Sequence, residues 1–491
     1  MAGRYPAAAA MVVFALIPYL ALSAALAPIT PIIARDLHTS LQTMSMGSGL
    51  ANAGYAVGTV LAVALAQHLP QRRLLVLYAV VLVIGSMLAA TAQNPAMFIT
   101  GHVLQGLCTS LMLIAAVPPL ALGFGAKRLR ETAVIMNLCI FGAVALGPTI
   151  GGIQAQAGGW RPLFFTVAGI SLTALVLTIL TFEDAPPANR RAPFDPLAIA
   201  LAASGSVAAF FGASQLLTHK FLDPVAFVPL AAGLTLIVVL IVYQFRAKRP
   251  LLTIRSMLTS TMPVAGVVVA LFAAAASVSA SALTAALLAE RYGPLHVGLL
   301  YLPELGGAVI TAFALGAVIS RCQMHYLPLL GMGFLAAGIA VFLIQIPSSQ
   351  ATALIGSGLT GIGLGASVAP ALFVAGFSLP SASLQRVFAI VELLRAVAAF
   401  MIAPVFAHLA ATVGGSLRSG TEIALWIGFG LAVGGALIGV GLYVLGGARP
   451  QAPDLERFIA GEAPAWYSPP LLAGVRRRRT DRTLAEDPAR P

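Results

Sequence analysis

The sequence predicts an all-α integral membrane protein of about fourteen spans, a count set by the length of helix that crosses a bilayer. Three observations lead there. Of 491 residues, 59% are hydrophobic and 9% charged, whereas a soluble chain carries roughly 25% charged residues. The apolar residues fall into long runs, and a helix needs about 20 of them to cross ~30 Å of hydrocarbon. Such a run must be helical, because backbone groups left unpaired in lipid are costly. Finally, Lys and Arg collect in alternate connections between the runs, the asymmetry that orients a membrane protein.

The run at 11–33 comes first; it is longer than a signal-peptide core and opens a series of similar runs, so it is expected to stay as a span. Five more, at 43–66, 74–93, 97–123, 133–155 and 161–182, complete a first group within residues 1–182. Two spans at 195–217 and 224–245 sit with their linker in residues 183–255. A second group of six, at 262–288, 296–319, 327–346, 351–377, 386–411 and 421–446, fills residues 256–446. Residues 447–491 form a basic tail rich in Pro, Ala and Arg, expected to be mostly disordered. Within it, Trp466 and Tyr467 suit a membrane interface and Arg476–Arg479 suit anionic lipid, while a solvated end that fixes topology is the plainer reading.

The connections on the N-terminal side hold Arg4, Arg72, Arg73, Lys127, Arg128, Arg130, Arg190, Arg191, Arg246, Lys248, Arg249, Arg255, Arg321 and Arg386. The other side holds Arg35, Arg161, Lys220, Arg291 and Arg418, so the count is fourteen against five. Both termini are therefore expected in the cytoplasm, in a plasma or bacterial inner membrane. A net charge of +12 does not imply nucleic acid, because no dense basic face on a folded domain accompanies it. Cys108, Cys139 and Cys322 show no metal-ligand spacing. No metal and no cofactor are expected.

The sharpest local signal is Gly142-Ala-Val-Ala-Leu-Gly147-Pro148-Thr-Ile-Gly151-Gly152, with Trp160-Arg161 after it. Small residues at helical spacing let a neighbouring helix approach closely, and Pro148 removes a backbone donor and can bend the helix. Packing alone would account for the glycines. Their place in the fifth span changes the reading, since the string resembles the antiporter motif of the major facilitator superfamily, and most of all its fourteen-span drug:proton antiporter branch. Phe194-Asp195-Pro196-Leu197, Arg249-Pro250-Leu251-Leu252 and Gly298-Leu299-Leu300-Tyr301-Leu302-Pro303 are similar to that branch at their expected places. The resemblance covers residues 10–446 and implies two six-helix bundles, with two inserted helices, rocking about a central site.

The chain also departs from that pattern. Between spans two and three, Gln67 stands where the family carries an acid and Pro70 where it carries a glycine. Leu22-Ser23 replaces a usual Leu-Asp. His102-Val-Leu-Gln105-Gly106 is similar to an R-x-x-Q-G string with His for Arg, read either as a proton-sensitive site or as a His that hydrogen-bonds inside the bundle. A fainter echo, Gly316-Ala-Val-Ile-Ser320-Arg321, falls at the corresponding place of the second half.

Ionisable residues within membrane spans are functional candidates by default. Glu392 and Arg395, three residues apart, share a helix face and read either as a self-neutralising pair or as a charge relay or gate. Glu304, just after Pro303, has no cation near it in sequence, and burial favours the protonated form of a carboxyl group. The proton-coupling candidates are thus Glu304, Glu392, Arg395 and His102. Gln105, Asn137 and Tyr55 are candidates for the polar part of a substrate cavity, with Asn52 and Gln154 beside them. No nucleophile elbow, H-E-x-x-H or phosphate loop occurs, so an enzyme is not expected. The sequence reads as a monomeric secondary transporter, exporting small organic or hydrophobic compounds against protons. A metabolite uniporter or uptake carrier is the alternative, and a non-transporting membrane sensor or scaffold is an alternative of another class.

Overall fold

Residues 3–182 and 194–475 are described in the structure, a computed structural model. Arg190, Arg191 and Arg476–Arg479, which carry part of the charge argument, lie outside the described residues. The described chain forms fourteen helices long and apolar enough to span a membrane. They are α1 (Tyr5–Asp36), α2 (Leu41–His68), α3 (Gln71–Ala90), α4 (Pro95–Leu122), α5 (Ala126–Gln156), α6 (Arg161–Thr181), α7 (Pro196–Gln215), α8 (Pro224–Arg246), α9 (Thr261–Ala289), α10 (Pro294–Val318), α11 (Leu327–Ile344), α12 (Gln350–Phe377), α13 (Ser381–Thr412) and α14 (Leu417–Gly446). Several run a few residues past the predicted apolar limits. Hydropathy marks the hydrocarbon, whereas the hydrogen-bonded helix continues into the interface until a cap ends it. Ser40, Asn94, Asp195, Asp223, Ser349 and Ser416 supply such caps, each accepting from a backbone N–H of the first turn.

Helices α1–α6 pack among themselves, and so do α9–α14; α5 meets α10, and α2 meets α13, where the two groups join. Glycines allow many of the closest crossings. A Cβ on Gly101 would lie 2.5 Å from the Ala89 nitrogen, and one on Gly363 would lie 2.6 Å from that of Leu335. In lipid such approach supplies the van der Waals contact that the hydrophobic effect cannot supply between helices.

The inserted pair α7–α8 packs on α2. Its entry motif has a local explanation. Asp195 caps α7 through the Ala198 N–H and accepts from Tyr243 Oη at 3.2 Å and Gln244 Nε2 at 2.8 Å. Gln244 Oε1 in turn accepts from the Leu252 N–H at 3.0 Å. One buried amide therefore links the Asp195-Pro196 start of α7 to the Pro250-Leu251-Leu252 segment after α8. At its opposite end, α7 touches both groups: Gln42 Nε2 donates to Gln215 Oε1 at 2.7 Å, and His408 of α13 bonds the Leu216 carbonyl at 2.9 Å.

The tail departs from expectation. Residues 451–475 are not a loose end but a strap laid over the face that carries Tyr5 and Gly446, hereafter the terminal face. A short helix, α15 (Leu455–Ile459), buries Phe458, whose ring lies 4.8 Å from that of Phe377. Ala465 N–H donates to the Phe377 carbonyl at 2.9 Å, and Trp466 Nε1 donates to Ser378 Oγ at 2.6 Å. Further along, the Thr261 N–H donates to the Pro469 carbonyl and the Leu471 N–H to the Thr259 carbonyl, both at 2.9 Å. Composition misleads here because it averages over the whole tail, whereas this segment is anchored at two aromatic residues, Phe458 and Trp466. Trp466 is buried, 3% exposed, rather than resting in the interface.

Under the Trp466 ring, centroids 4.6 Å apart, lies His325, buried with neither ring nitrogen in a hydrogen bond. Burial pushes its pKa below the ordinary value, with the nearby Gln451 backbone opposing. A depressed His pKa means that the detached state binds the proton more readily. The strap is then most stable above the ordinary pKa and weakens as pH falls through it. With Trp160 and Trp426 replaced by Phe, acrylamide quenching of Trp466 should be low at pH 8 and rise on acidification below pH ~6.5. The His325→Phe variant should lose this dependence.

Candidate functional site

Helix α5 is not uniform. Leu138–Gly142 form one π-helical turn, and α13 carries another at Val397–Met401. The two helices are the fifth of each group, so the widened turns fall at corresponding places. A π-turn adds one residue to the ring and re-aims the side chains beyond it. In α5 the segment beyond the turn is the glycine string, and it proves to be two-sided. A Cβ on Gly147 would overlap Ala24 Cβ, and one on Gly151 would overlap the Ala25 carbonyl oxygen, so both fit against α1. Gly152 instead faces α10, 2.7 Å from Leu295 Cα by the same construction, and Gly298 of α10 faces the Pro148 carbonyl at 2.6 Å. Thr149 Oγ1 donates to the Gly298 carbonyl at 2.9 Å across this seam. Gly142 meets only ordinary contacts, with Leu305 Cδ1 at 3.5 Å.

At the α2–α13 seam stands the buried charge pair. Arg395 donates from Nε at 2.9 Å and from Nη2 at 2.6 Å, both to Glu392 Oε2. Tyr55 Oη, from the other group, donates to the same oxygen at 3.2 Å, and Arg395 Nη2 lies 3.4 Å from that hydroxyl. Glu392 is 3% and Arg395 6% exposed. Tyr55, expected to line a cavity, is therefore the link that ties the pair to α2. Its ring also stacks on Tyr19 at 6.1 Å.

Glu304 lies in the second group, at the start of the helical segment that Pro303 opens. Ser281 Oγ of α9 donates to its Oε1 at 2.7 Å, and Thr360 Oγ1 of α12 donates to the same oxygen at 3.4 Å. Among the described residues it has no ion-pair partner. Nearby, Thr284 and Tyr301 share a hydrogen bond between their hydroxyls. Sequence reasoning found the acid but not its partners. The signal available was the hydroxyl-rich stretch Ser277, Ser279, Ser281, Thr284 within α9.

The remaining candidates are placed elsewhere. His102 Nδ1 bonds Gln105 Oε1 at 3.1 Å, Gln105 Nε2 donates to Ser86 Oγ at 3.1 Å, and Ser86 meets Ser171 at 3.3 Å. This chain joins α4, α3 and α6 inside the first group, so Gln105 points into the packing rather than a cavity. His102 thus hydrogen-bonds within the bundle, with Phe98 and Tyr19 rings beside it. Asn137 donates from Nδ2 to the Gly365 carbonyl of α12 at 3.1 Å and so also ties the two groups.

These ties lie toward the terminal face, where the seam is shut. Every residue from Gly365 to Phe377 of α12 and from Val387 to Leu393 of α13 is buried, whereas between Ile402 and Thr412 only Phe406 and Ala410 are. Leu113, Met136, Phe141, Leu372 and Phe388 line a small apolar cavity beside Glu392.

The Major Facilitator Superfamily sequence model matches residues 12–318. The chain is 26% identical over 307 residues to "Multidrug resistance protein B homolog" of Mycobacterium tuberculosis (strain ATCC 25618 / H37Rv), covering 61% of this chain and 56% of that protein. It is 28% identical over 302 residues to the tetracenomycin C resistance and export protein of Streptomyces glaucescens, covering 59% and 54%. With drug efflux pump JefA of Mycobacterium tuberculosis (strain CDC 1551 / Oshkosh) it shares 24% over 362 residues, 70% and 68% of the two chains. It thus spans just over half the length of the first two relatives. In fold it is similar to a POT family transporter solved with a thioalcohol-conjugated peptide (TM-score 0.65, 13% identity, 89% of this chain and 96% of that one). The proton:xylose symporter XylE is likewise similar (TM-score 0.62, 13% identity, 93% and 98%).

Two sets of variants check this geometry. Gly147→Ala forces a methyl group onto α1 and should cost about 1–3 kcal/mol of overpacking, lowering the thermal midpoint in detergent, whereas Gly142→Ala should leave it nearly unchanged. Glu392→Gln strands a buried guanidinium and should cost about 3–5 kcal/mol, while Glu392→Leu with Arg395→Met together should recover most of the loss. Equal midpoints for the single and double variants would contradict the pairing.

Proposed function

The chain belongs to the Major Facilitator Superfamily, and on that premise we propose that it is a secondary carrier exporting small, largely hydrophobic organic compounds in exchange for protons, with Glu304 as the proton carrier. The observation that supports this reading most is the contrast between the two acids. Glu392 is locked to Arg395 by two short hydrogen bonds, so protonating it would strand a buried cation. Glu304 is held only by hydroxyls. A hydroxyl can donate to a carboxylate or accept from a carboxylic acid, so a proton arrives and leaves there without orphaning a charge. The resistance and export functions named for the relatives supply the compound class.

The two groups of six act as bundles that rock about the α5–α10 and α2–α13 seams, opening a central site alternately to each side. The glycine string serves both surfaces of α5: Gly147 and Gly151 fix it to its own bundle, and Gly152 lets α10 lie against it. The Tyr55–Glu392–Arg395 cluster acts as a gate tie, made when the terminal side is shut. The Lys and Arg bias supports a cytoplasmic position for that side, and one chain suffices for the cycle.

A specific observation favours a second reading, a carrier that equilibrates its substrate without protons. The first bundle has Ser23 where the resembling branch has an acid, and the Ser23 hydroxyl turns back onto the Leu20 carbonyl at 2.9 Å.

Purified protein in sealed vesicles with an interior pH dye separates the two. Under an imposed pH gradient, a panel of hydrophobic cations, dyes and metabolites should include compounds that move protons. The Glu304→Gln variant, equally folded, should lower that coupled flux at least 100-fold while still exchanging compound for compound. Transport of compounds with no proton movement in the unaltered chain would support the second reading and reject the first.

A further inference from the structure

We propose that the C-terminal strap, residues 451–475, is a latch between the two bundles that holds the terminal face shut. The idea rests on the rocking motion described above but not on the identity of substrate or ion. Its anchor is one-sided. The hydrogen bonds to Phe377, Ser378, Thr259 and Thr261, and the rings of Phe377 and His325 around Phe458 and Trp466, all belong to the second bundle. Among the described residues, no hydrogen bond or ion pair joins the strap to the first bundle.

Helix α15 nevertheless reaches across and lies against α5, the first bundle's half of the α5–α10 seam. The net charges there are opposite: the strap carries Asp454, Glu456 and Glu462 with Arg457, which pairs with Glu462, and the start of α5 carries Lys127, Arg128 and Arg130 with Glu131, which pairs with Arg128. Nearby, Gly316 of α10 packs against Val134 and Arg130, so the seam beneath α15 is closed.

A segment fixed to one bundle and resting on the other has a state-dependent energy. Opening the terminal face carries α5 away from α10 and, with it, from α15, while the anchor on α12 and α9 stays intact. The contact exists only in the closed state and so shifts population toward it. Removing the strap should bias the carrier toward the state open at that face, without altering any residue of the central site.

The reporter is Leu113→Cys, buried in the wall of the small cavity beside Glu392, in a background of Cys108→Ala, Cys139→Ala and Cys322→Ser. Its rate of reaction with a charged, membrane-impermeant maleimide is read in detergent without substrate. It should be slow in the full chain. It should rise at least about fivefold, the low end of ordinary coupling between sites, both in a chain ending at Pro450 and in the full-length Trp466→Ala variant. The point variant keeps the test valid if the shortened chain does not fold, and the thermal midpoint certifies each. An unchanged rate in either folded variant overturns the latch. Proton-coupled flux is measured separately, so loss of flux with an intact latch effect, or the reverse, shows which of the two proposals has failed.

Discussion

An unpaired charge or polar group in hydrocarbon is the most expensive feature a membrane-embedded chain can carry, and most of this structure can be read as ways of avoiding it. The backbone is satisfied by helix throughout the spans, and Lys and Arg are confined almost wholly to the connections. The first-turn N–H groups of six spanning helices find a Ser, Asn or Asp side chain. Where the chain breaks between α8 and α9, Gln244 and Asp195 satisfy the turn by side-chain bonds. Arg395, the one Lys or Arg that lies inside a predicted span rather than at its end, is neutralised three residues away by Glu392 on its own helix. Against that background Glu304, satisfied by hydroxyls alone, is the exception that suggests function.

The same constraint shapes how the bundles meet. With lipid on the outside, no hydrophobic gain drives helix against helix, so contact depends on removing side-chain bulk and on a few hydrogen bonds. At the α5–α10 seam this is done with Gly152, Gly298 and the Thr149 hydroxyl; at α2–α13 it is done with one tyrosine on an ion pair. Both seams involve a helix with a π-turn, Leu138–Gly142 in α5 and Val397–Met401 in α13. Seams built from few interactions can be remade cheaply, which is what two alternating arrangements require.

How much of this was legible in the sequence depended on the range of the interaction. Hydropathy is a local property, so all fourteen spans and their order could be read directly. Glu304, Glu392 and Arg395 were conspicuous because ionisable residues in apolar runs are rare. The Glu392–Arg395 pairing followed from their three-residue spacing, but the hydroxyl partners did not, since Tyr55 is 337 residues from Glu392 and Thr360 is 56 from Glu304. Gln105 and Asn137 looked like cavity groups for the same reason: a polar residue in a span signals that it needs a partner, not which one. The two-sided use of the glycine string was likewise hidden, because spacing shows that Gly147 and Gly151 share a face but not which helix lies there. The strap was misread because composition averages over the whole tail, while its anchoring rests on Phe458 and Trp466.

As the proposed proton carrier, Glu304 should exchange a proton when the compound binds. This is tested most directly by adding a compound found to be transported to weakly buffered, detergent-solubilised protein and measuring proton release with a pH indicator. Close to one proton should be released per compound bound in the unaltered chain and none in Glu304→Gln, with binding itself retained. Equal release from both proteins, or release abolished by Glu392→Gln alone while Glu304→Gln behaves normally, would contradict it.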